Sequence, residues 1–389
     1  MNTAADIVLG AIRAQICGQQ YHIDGNISDD MLKEVHALSK AHDVAHLVAG
    51  ELFSQKILKN QEISELFKKQ QILAVYRYER INHEYTDICR VLDEAGISYM
   101  PLKGAVMRQY YPEPWMRTSS DIDILVKPKD IPVATDVLVS VLHYRNDGTY
   151  EHDVQLFAPS GVHLELHFET IEDYRSASAN EILKKIWDEH AVCLKGQCYA
   201  MSNEMFYFYH VAHMAKHFKE GGCGIRFFLD MWLLNRNLNF DKKRRDDLLR
   251  AGGLLAFAQN AEQLSEVWFR KYTHTEVTKR MESYVLFGGV YGCHDNKVAV
   301  KHVSKGGRLG YAMYLVFRPY HELRMQYRIL YKHKWLFLIC QIHRWMCLIF
   351  NGGISRAKRL LTKDATVYEK TGDSVDKMLR DLHLTNKNM

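Results

Sequence analysis

The chain is poor in the residues that break or crosslink a fold. Its 389 residues include 7 prolines, and none precedes Pro101. The eight cysteines stand apart, at 17, 89, 193, 198, 223, 293, 340 and 347, with no CxxC pair. That spacing excludes a zinc ribbon and indicates no disulfide framework, so reduced thiols and a cytoplasmic location are expected. Long apolar runs are also missing. In the most apolar stretch, 331–350, the longest run is Trp335–Cys340, six residues, whereas a bilayer span needs about 20. Met1–Gln20 lacks a basic region followed by a long apolar core, so no signal peptide is expected. There is no internal repeat and no low-complexity tract.

What is present suits a globular protein with a large core and two or three structural units: 47% of residues are hydrophobic and 25% charged. The net charge of +5 hides an asymmetry. Lys301–Lys363 holds 13 Lys/Arg and one acid, Glu322, while the remainder holds 38 basic and 45 acidic residues. A basic C-terminal part on a mildly acidic body fits nucleic acid, an anionic membrane surface, or docking against that body.

The spacing of apolar residues predicts an N-terminal helical region over 1–83, with Met31–Leu38 and Val44–Gly50 among its clearest stretches. From 84 to 170 the pattern alternates. A helix over Glu84–Ala95 stops at Gly96, and a strand over Ile97–Leu102 runs into Lys103-Gly104. A short helix over Ala105–Tyr111 and a strand over Ile122–Val126 follow. A helix over Asp130–Leu142 precedes strands over His152–Phe157 and Val162–Phe168. This is a compact α/β (α+β) unit with a small mixed sheet. A C-terminal helical region over 171–365 and a polar tail over 366–389, expected to fray, complete the chain.

The chemistry concentrates in the middle unit. Leu102-Lys103-Gly104 is followed by Arg117-Thr118-Ser119-Ser120-Asp121-Ile122-Asp123-Ile124-Leu125-Val126. On a strand, residues i and i+2 share a face, so Asp121 and Asp123 project together. Two hard oxygen donors suit Mg²⁺, or Mn²⁺ in its place, held together with substrate phosphates. The Lys103-Gly104 turn offers a cation and backbone N–H groups to the same phosphates. In Val162–Glu169 the polar residues His163, Glu165, His167 and Glu169 alternate with apolar ones. Glu165 therefore becomes a third carboxylate if this strand lies beside the Asp121/Asp123 strand; otherwise the polar face belongs to a solvated edge strand. Metal-holding carboxylates of this kind serve phosphoryl or nucleotidyl transfer.

These motifs in combination resemble the bacterial uncharacterised nucleotidyltransferase family of the DNA polymerase beta-like superfamily, over roughly residues 30 to 350. The resemblance implies a nucleotidyltransferase core, Mg²⁺ dependence and a nucleoside triphosphate donor. It also implies that Asp121 and Asp123 are metal carboxylates, that Glu165 is the third acid, and that Ser120, Arg117, Lys103 and Gly104 lie near the donor. One departure concerns the turn before the metal strand, which in the wider superfamily usually carries Gly-Ser and here reads Lys103-Gly104-Ala105. The acceptor stays open among sugar, small molecule, protein side chain and RNA end. Alternatives to nucleotidyl transfer are γ-phosphate transfer and nucleotide binding without turnover.

Two further features stand outside the carboxylates. His210, His213 and His217 share one helical face. Aromatic packing is one reading of them; a zinc pair lacks the Glu that a metalloprotease places after the first His. The family resemblance, through Lys216-His217, Gly221–Arg226 and Leu229-Asp230, implies that His213, Lys216, His217 and Arg226 form a polyphosphate or acceptor surface, with Asp230 orienting Arg226. The basic aromatic segment 331–350 reads as a buried helix, with in-plane membrane contact and nucleic-acid contact as the other options.

Overall fold

The computed structural model describes residues 3–23, 27–170, 177–290, 292–350 and 353–385. Helices α1 (Thr3–Cys17), α2 (Asp29–Ala41), α3 (Ala45–Ser54) and α4 (Gln61–Glu94) come first. The last is a single 34-residue helix running through position 83/84. Asn60 caps it, accepting from the Glu62 and Ile63 amides, and Gly96, at φ +68°, follows its end. The apolar residues Ile81, Ile88, Val91 and Leu92 of its C-terminal half are buried.

The sheet follows: β1 (Tyr99–Pro101), α5 (Lys103–Met107), β2 (Asp121–Val126), α6 (Ile131–Leu142), β3 (Arg145–Thr149), β4 (Asp153–Phe157) and β5 (His163–His167). Helices α7 (Ala177–Leu183) and α8 (Ile186–Glu189) lead to β6 (Ala191–Lys195) and β7 (Cys198–Met201). The strand order is β3-β4-β5-β2-β1-β7-β6. β2 runs parallel to β5 and β1 parallel to β7; the other pairs are antiparallel.

The rest is helical: α9 (Asn203–Lys219), α10 (Ile225–Asn237), α11 (Lys242–Ala251), α12 (Leu255–Arg270), α13 (Glu276–Gly288), α14 (His294–Ser304), α15 (Gly307–Val316), α16 (Tyr320–Gln326), α17 (Phe337–Phe350) and α18 (Gly353–Asp381). The protein is thus mostly helical, with a seven-stranded mixed sheet in the middle.

Strand periodicity builds two layers. Ile122, Ile124 and Val126 of β2, Leu164 and Leu166 of β5, and Val154 and Leu156 of β4 share one core with Ile88 and Leu92 of α4 and Ala134 and Leu138 of α6. The residues between them face the other way, toward α9 and α10.

Three expectations are corrected. The stretch after 170 is not wholly helical, because the β6–β7 hairpin adds two strands to the sheet. Its turn at Gly196, at φ +58°, and its short, half-exposed strands carry little helical signal to set against the surrounding helices. The short helix expected over Ala105–Tyr111 begins earlier, at Lys103, and continues as a 3-10 turn over Arg108–Tyr110. The end of the chain is not frayed over 366–381. It belongs to α18, and Val375, Met378, Leu379, Leu382 and Leu384 are buried in the main helical core.

Candidate functional site

Register decides which side chains meet. In the parallel β2–β5 pair, Asp121 lies opposite His163 and Asp123 opposite Glu165. On the other side of β5, Gln155 faces Glu165 and Asp153 faces His167. The condition set for Glu165, that its strand lie beside the Asp121/Asp123 strand, is met.

Asp123 is the centre of the polar face and is almost fully buried. Its Oδ1 accepts from Lys103 Nζ at 2.8 Å and lies 2.9 Å from His167 Nε2. His167 Nε2 is also 3.3 Å from a Glu165 carboxylate oxygen. Burial opposes ionisation of Asp123, but the Lys103 ammonium and the His167 hydrogen bond outweigh it and hold the carboxyl well below the usual range. Burial likewise opposes charge on His167, yet its bonds to Asp123 and Glu165 push it up to about 9. The His167 hydrogen bond lowers Glu165 against burial. Asp121 differs: burial, then the Asp123 charge, push it up. The surroundings thus shift the two carboxylates of the Asp-x-Asp pair in opposite directions.

Among the described residues, two groups bring three metal-donor atoms within 4.8 Å of one another: Asp123, Glu165 and His167, and His152, Asp153 and His167. Asp121 is in neither group. His167 was visible in the sequence only as one of the polar alternates of its strand. Its position two residues after Glu165, on the same face, was the signal that it shares the site. His152 and Asp153, at the start of β4, carried no such signal.

The turn before the metal strand is tight. Lys103 has φ +43°, in the left-handed region. Gly104 is buried, and a Cβ there would lie 3.1 Å from Ser119 Cβ. Glycine lets the backbone approach Ser119, whose Oγ donates to the Asp121 carbonyl at 3.2 Å.

A cavity of about 1260 Å³ opens over the carboxylates. Lys103, Gly104, Ser120, Asp121, Asp123 and Glu165 line it from the sheet side. His213, Lys216, His217 and Arg226 line it from α9 and α10, and Arg117 lies between the two. The carboxylates, the Lys103-Gly104 turn and the polar residues of α9 and α10 therefore line one cavity, although they span more than 120 positions.

Two roles differ from expectation. Asp230 does not orient Arg226. Its carboxylate accepts two bonds from Arg117 Nε, at 2.9 and 3.0 Å, one from Arg117 Nη2 at 2.8 Å and one from Tyr111 Oη at 2.6 Å. Both members of the Arg117–Asp230 pair are buried, so Arg117 braces the loop before β2 against α10. Arg226 instead pairs with Asp43, between α2 and α3, and donates to the Thr118 carbonyl at 3.0 Å. His210 turns inward: it is buried, with Nε2 3.1 Å from the Phe227 carbonyl, and burial holds it down to about 4. His213 and His217 pack edge to face, 4.6 Å apart, and both rings contact Phe227.

The profile of one family, described as uncharacterised nucleotidyltransferase, matches residues 29–270. The match takes in the N-terminal helices from α2, the whole sheet and the helices through α12, and ends short of the basic C-terminal segment. No curated protein and no solved structure matches the chain. With register-matched acids on β2 and β5 under a cavity and a profile covering more than half its length, the chain belongs to the uncharacterised nucleotidyltransferase family.

Proposed function

We propose that the protein transfers a nucleoside monophosphate from a nucleoside triphosphate to an acceptor hydroxyl, releasing pyrophosphate. The observation that carries this reading is the row of Asp123 and Glu165, in register on parallel strands, with Asp121 one step away at the floor of a cavity whose opposite wall is cationic. Carboxylate oxygens suit Mg²⁺, and the donor set also contains an imidazole, which Mn²⁺ tolerates. Asp123 and Glu165, whose carboxylate oxygens already converge, would hold the ion, with Asp121 on the same face of β2 as the third acid. When bound, it would neutralise charge on the phosphate oxygens and on the leaving pyrophosphate.

This chain's own groups do the rest. Lys216 and Arg226 face the carboxylates across the cavity and supply positive charge to the triphosphate. Lys103, in reach of Asp123, offers its ammonium to a phosphate oxygen when the triphosphate arrives. The acceptor oxygen attacks the α-phosphorus, the bond from that phosphorus to the bridging oxygen of the β-phosphate breaks, and pyrophosphate leaves. The hydroxyl proton passes to the Glu165 carboxylate, which lines the cavity beside Asp123.

The test is incubation of the protein with each α-labelled nucleoside triphosphate, Mg²⁺ and cell extract, followed by mass identification of labelled products. Pyrophosphate release with a labelled adduct is expected. Release of nucleoside diphosphate with unlabelled acceptor would replace this reading with γ-phosphate transfer. A second reading, nucleotide binding without turnover, is favoured by one feature: Lys103 and His167 already neutralise Asp123. It predicts saturable nucleotide binding and no labelled product with any extract.

A further inference from the structure

Helix α17 is built the wrong way round for a helix covered only by its own chain. A surface helix normally buries its apolar stripe and gives its polar residues to water. Here the buried side carries Gln341 and Arg344 beside Cys340 and the partly buried Phe337. The Gln341 amide donates to the Arg318 carbonyl at 2.5 Å, and Arg344 Nη2 donates to the Leu315 carbonyl at 2.5 Å. Both side chains also keep a buried polar atom with no hydrogen-bond partner, Oε1 of Gln341 and Nε of Arg344. The opposite side carries Leu338, Ile339, Ile342, Met346 and Phe350, with Trp335 just before the helix in line with them. Their exposure runs from 50% for Met346 to 78% for Phe350. At about 100° per residue these six positions fall within one stripe roughly 120° wide.

The stripe does not stand alone. Leu309, Met313, Val316 and Phe317 are also exposed, along α15 and just beyond it. The Phe317 ring packs edge-on against Trp345, 5.4 Å away, which joins the two apolar surfaces. Contiguous exposed apolar surface of this kind marks an interaction site.

Charge says what covers it. From Leu323 to Lys363 the chain has no Asp or Glu. The nearest upstream acid, Glu322, is engaged by Arg318 at 2.7 Å and by Tyr314. Tyr331, Lys332, His333, Lys334 and Trp335 are all exposed and lead straight into the stripe. An exposed apolar helix stripe with an aromatic residue and lysines at one end has the make-up of a segment that lies in a lipid interface. The segment from Leu323 to Lys363 itself thus presents no carboxylate to anionic headgroups. No described helix is long and apolar enough to cross a membrane.

We infer that α17 lies in the plane of an anionic lipid bilayer, with Trp335, Leu338, Ile342 and Met346 in the acyl boundary and Lys332 and Lys334 among the headgroups. The same segment reaches the cavity through Met325, Arg328 and Tyr331, so docking places the rim of the cavity beside the lipid surface.

The test is co-sedimentation of the full-length protein with vesicles of phosphatidylcholine, with and without phosphatidylglycerol. The protein should sediment with the anionic vesicles and stay in solution with the neutral ones. The double variant Leu338→Glu, Ile342→Glu should weaken binding at least about tenfold, because it puts charge into the apolar boundary. Lys332→Glu with Lys334→Glu should weaken it by a similar factor and abolish its salt dependence. These positions are exposed, so unchanged circular dichroism and melting separate lost binding from misfolding. Equal recovery in the supernatant with both vesicle types overturns the inference. So does a dimer in light scattering that Leu338→Glu, Ile342→Glu dissociates, which would make this face a contact between copies.

Discussion

The two faces of the central sheet come from the same strands and share nothing else. On the face toward α4 and α6, Ile122, Ile124, Leu164, Leu166, Val154 and Leu156 are all buried in apolar contact. Each contributes about 1.5–3 kcal/mol by leaving water. On the other face, one residue along in each strand, stand Asp121, Asp123, Glu165, His167, Asp153 and Gln155. That face gathers like charges, and Asp153 keeps a buried carboxylate oxygen without a partner. One face holds the sheet together, and the other carries a burial cost that Lys103 and His167 offset at Asp123 and Glu165. In a stable fold, polar residues concentrated where burial is expensive indicate chemistry.

The largest expected effect comes from removing the centre of the polar face. Asp123→Ala deletes the partner of both Lys103 and His167 and, in the proposed reaction, a metal donor worth several kcal/mol in the transition state. Metal-dependent transfer should fall on the order of a thousandfold, at about 1.4 kcal/mol per tenfold. Asp121→Ala should do the same. Full product yield from either variant in the labelled-nucleotide assay would break the comparison, because the polar face would then be idle.

Next is the brace that holds the β2 approach against the helical wall. Asp230→Asn leaves the Arg117 guanidinium buried and uncompensated, and should cost about 3–5 kcal/mol. A urea midpoint unchanged from the parent would show that water reaches Arg117.

The third test sets neighbours on opposite faces against each other. Leu164→Ala should destabilise by about 2–5 kcal/mol with Mg²⁺ affinity intact. Glu165→Gln, the next residue, keeps an acceptor for His167, so it should cost less stability than Leu164→Ala while weakening Mg²⁺ binding. Calorimetric metal titration beside chemical denaturation reads both quantities. The same pattern in both variants would mean that the faces are not separable.

The last effect is graded with pH and lies in the helices beyond the polar face. Burial holds His42 and His210 down to about 4 from an ordinary 6.5. Between those values the unfolded chain takes up protons that the folded chain refuses. The contribution of these two histidines is therefore complete above about pH 6.5 and falls as pH drops through the window, by up to about 1.4 kcal/mol per unit for each. His42 Nδ1 accepts from the Ile225 amide, while its Nε2 lies 3.2 Å from the Leu286 carbonyl. His42→Gln with His210→Gln should flatten the denaturation midpoint between pH 7 and pH 5. An unchanged slope would place the titration elsewhere.

Much of the site was legible because strand alternation is a local rule. Asp121 and Asp123 at i and i+2, and Glu165 among its polar alternates, follow from a period of two. The β6–β7 hairpin was not legible. Its strands are short, and β7 is held through its parallel pairing to β1, a contact between Tyr99 and Cys198. The Asp230 assignment failed for a related reason. Its spacing from Arg226 put the two on one helical face, but the loop before β2 brings Arg117 to Asp230, a partner 113 positions away.

The sequence by itself determined the periods: the helices, the alternating strands, the acids that share a face and the basic character of the C-terminal part. These depend on neighbours within a few residues, where backbone geometry sets direction. The tertiary structure decided which faces meet. Parallel pairing of β2 with β5 put Glu165 opposite Asp123, and packing of α10 against the approach to β2 gave Asp230 to Arg117. The fold of the C-terminal part turned the apolar stripe of α17 outward. Such choices are made by burial and charge pairing between distant segments, and no local spacing encodes them.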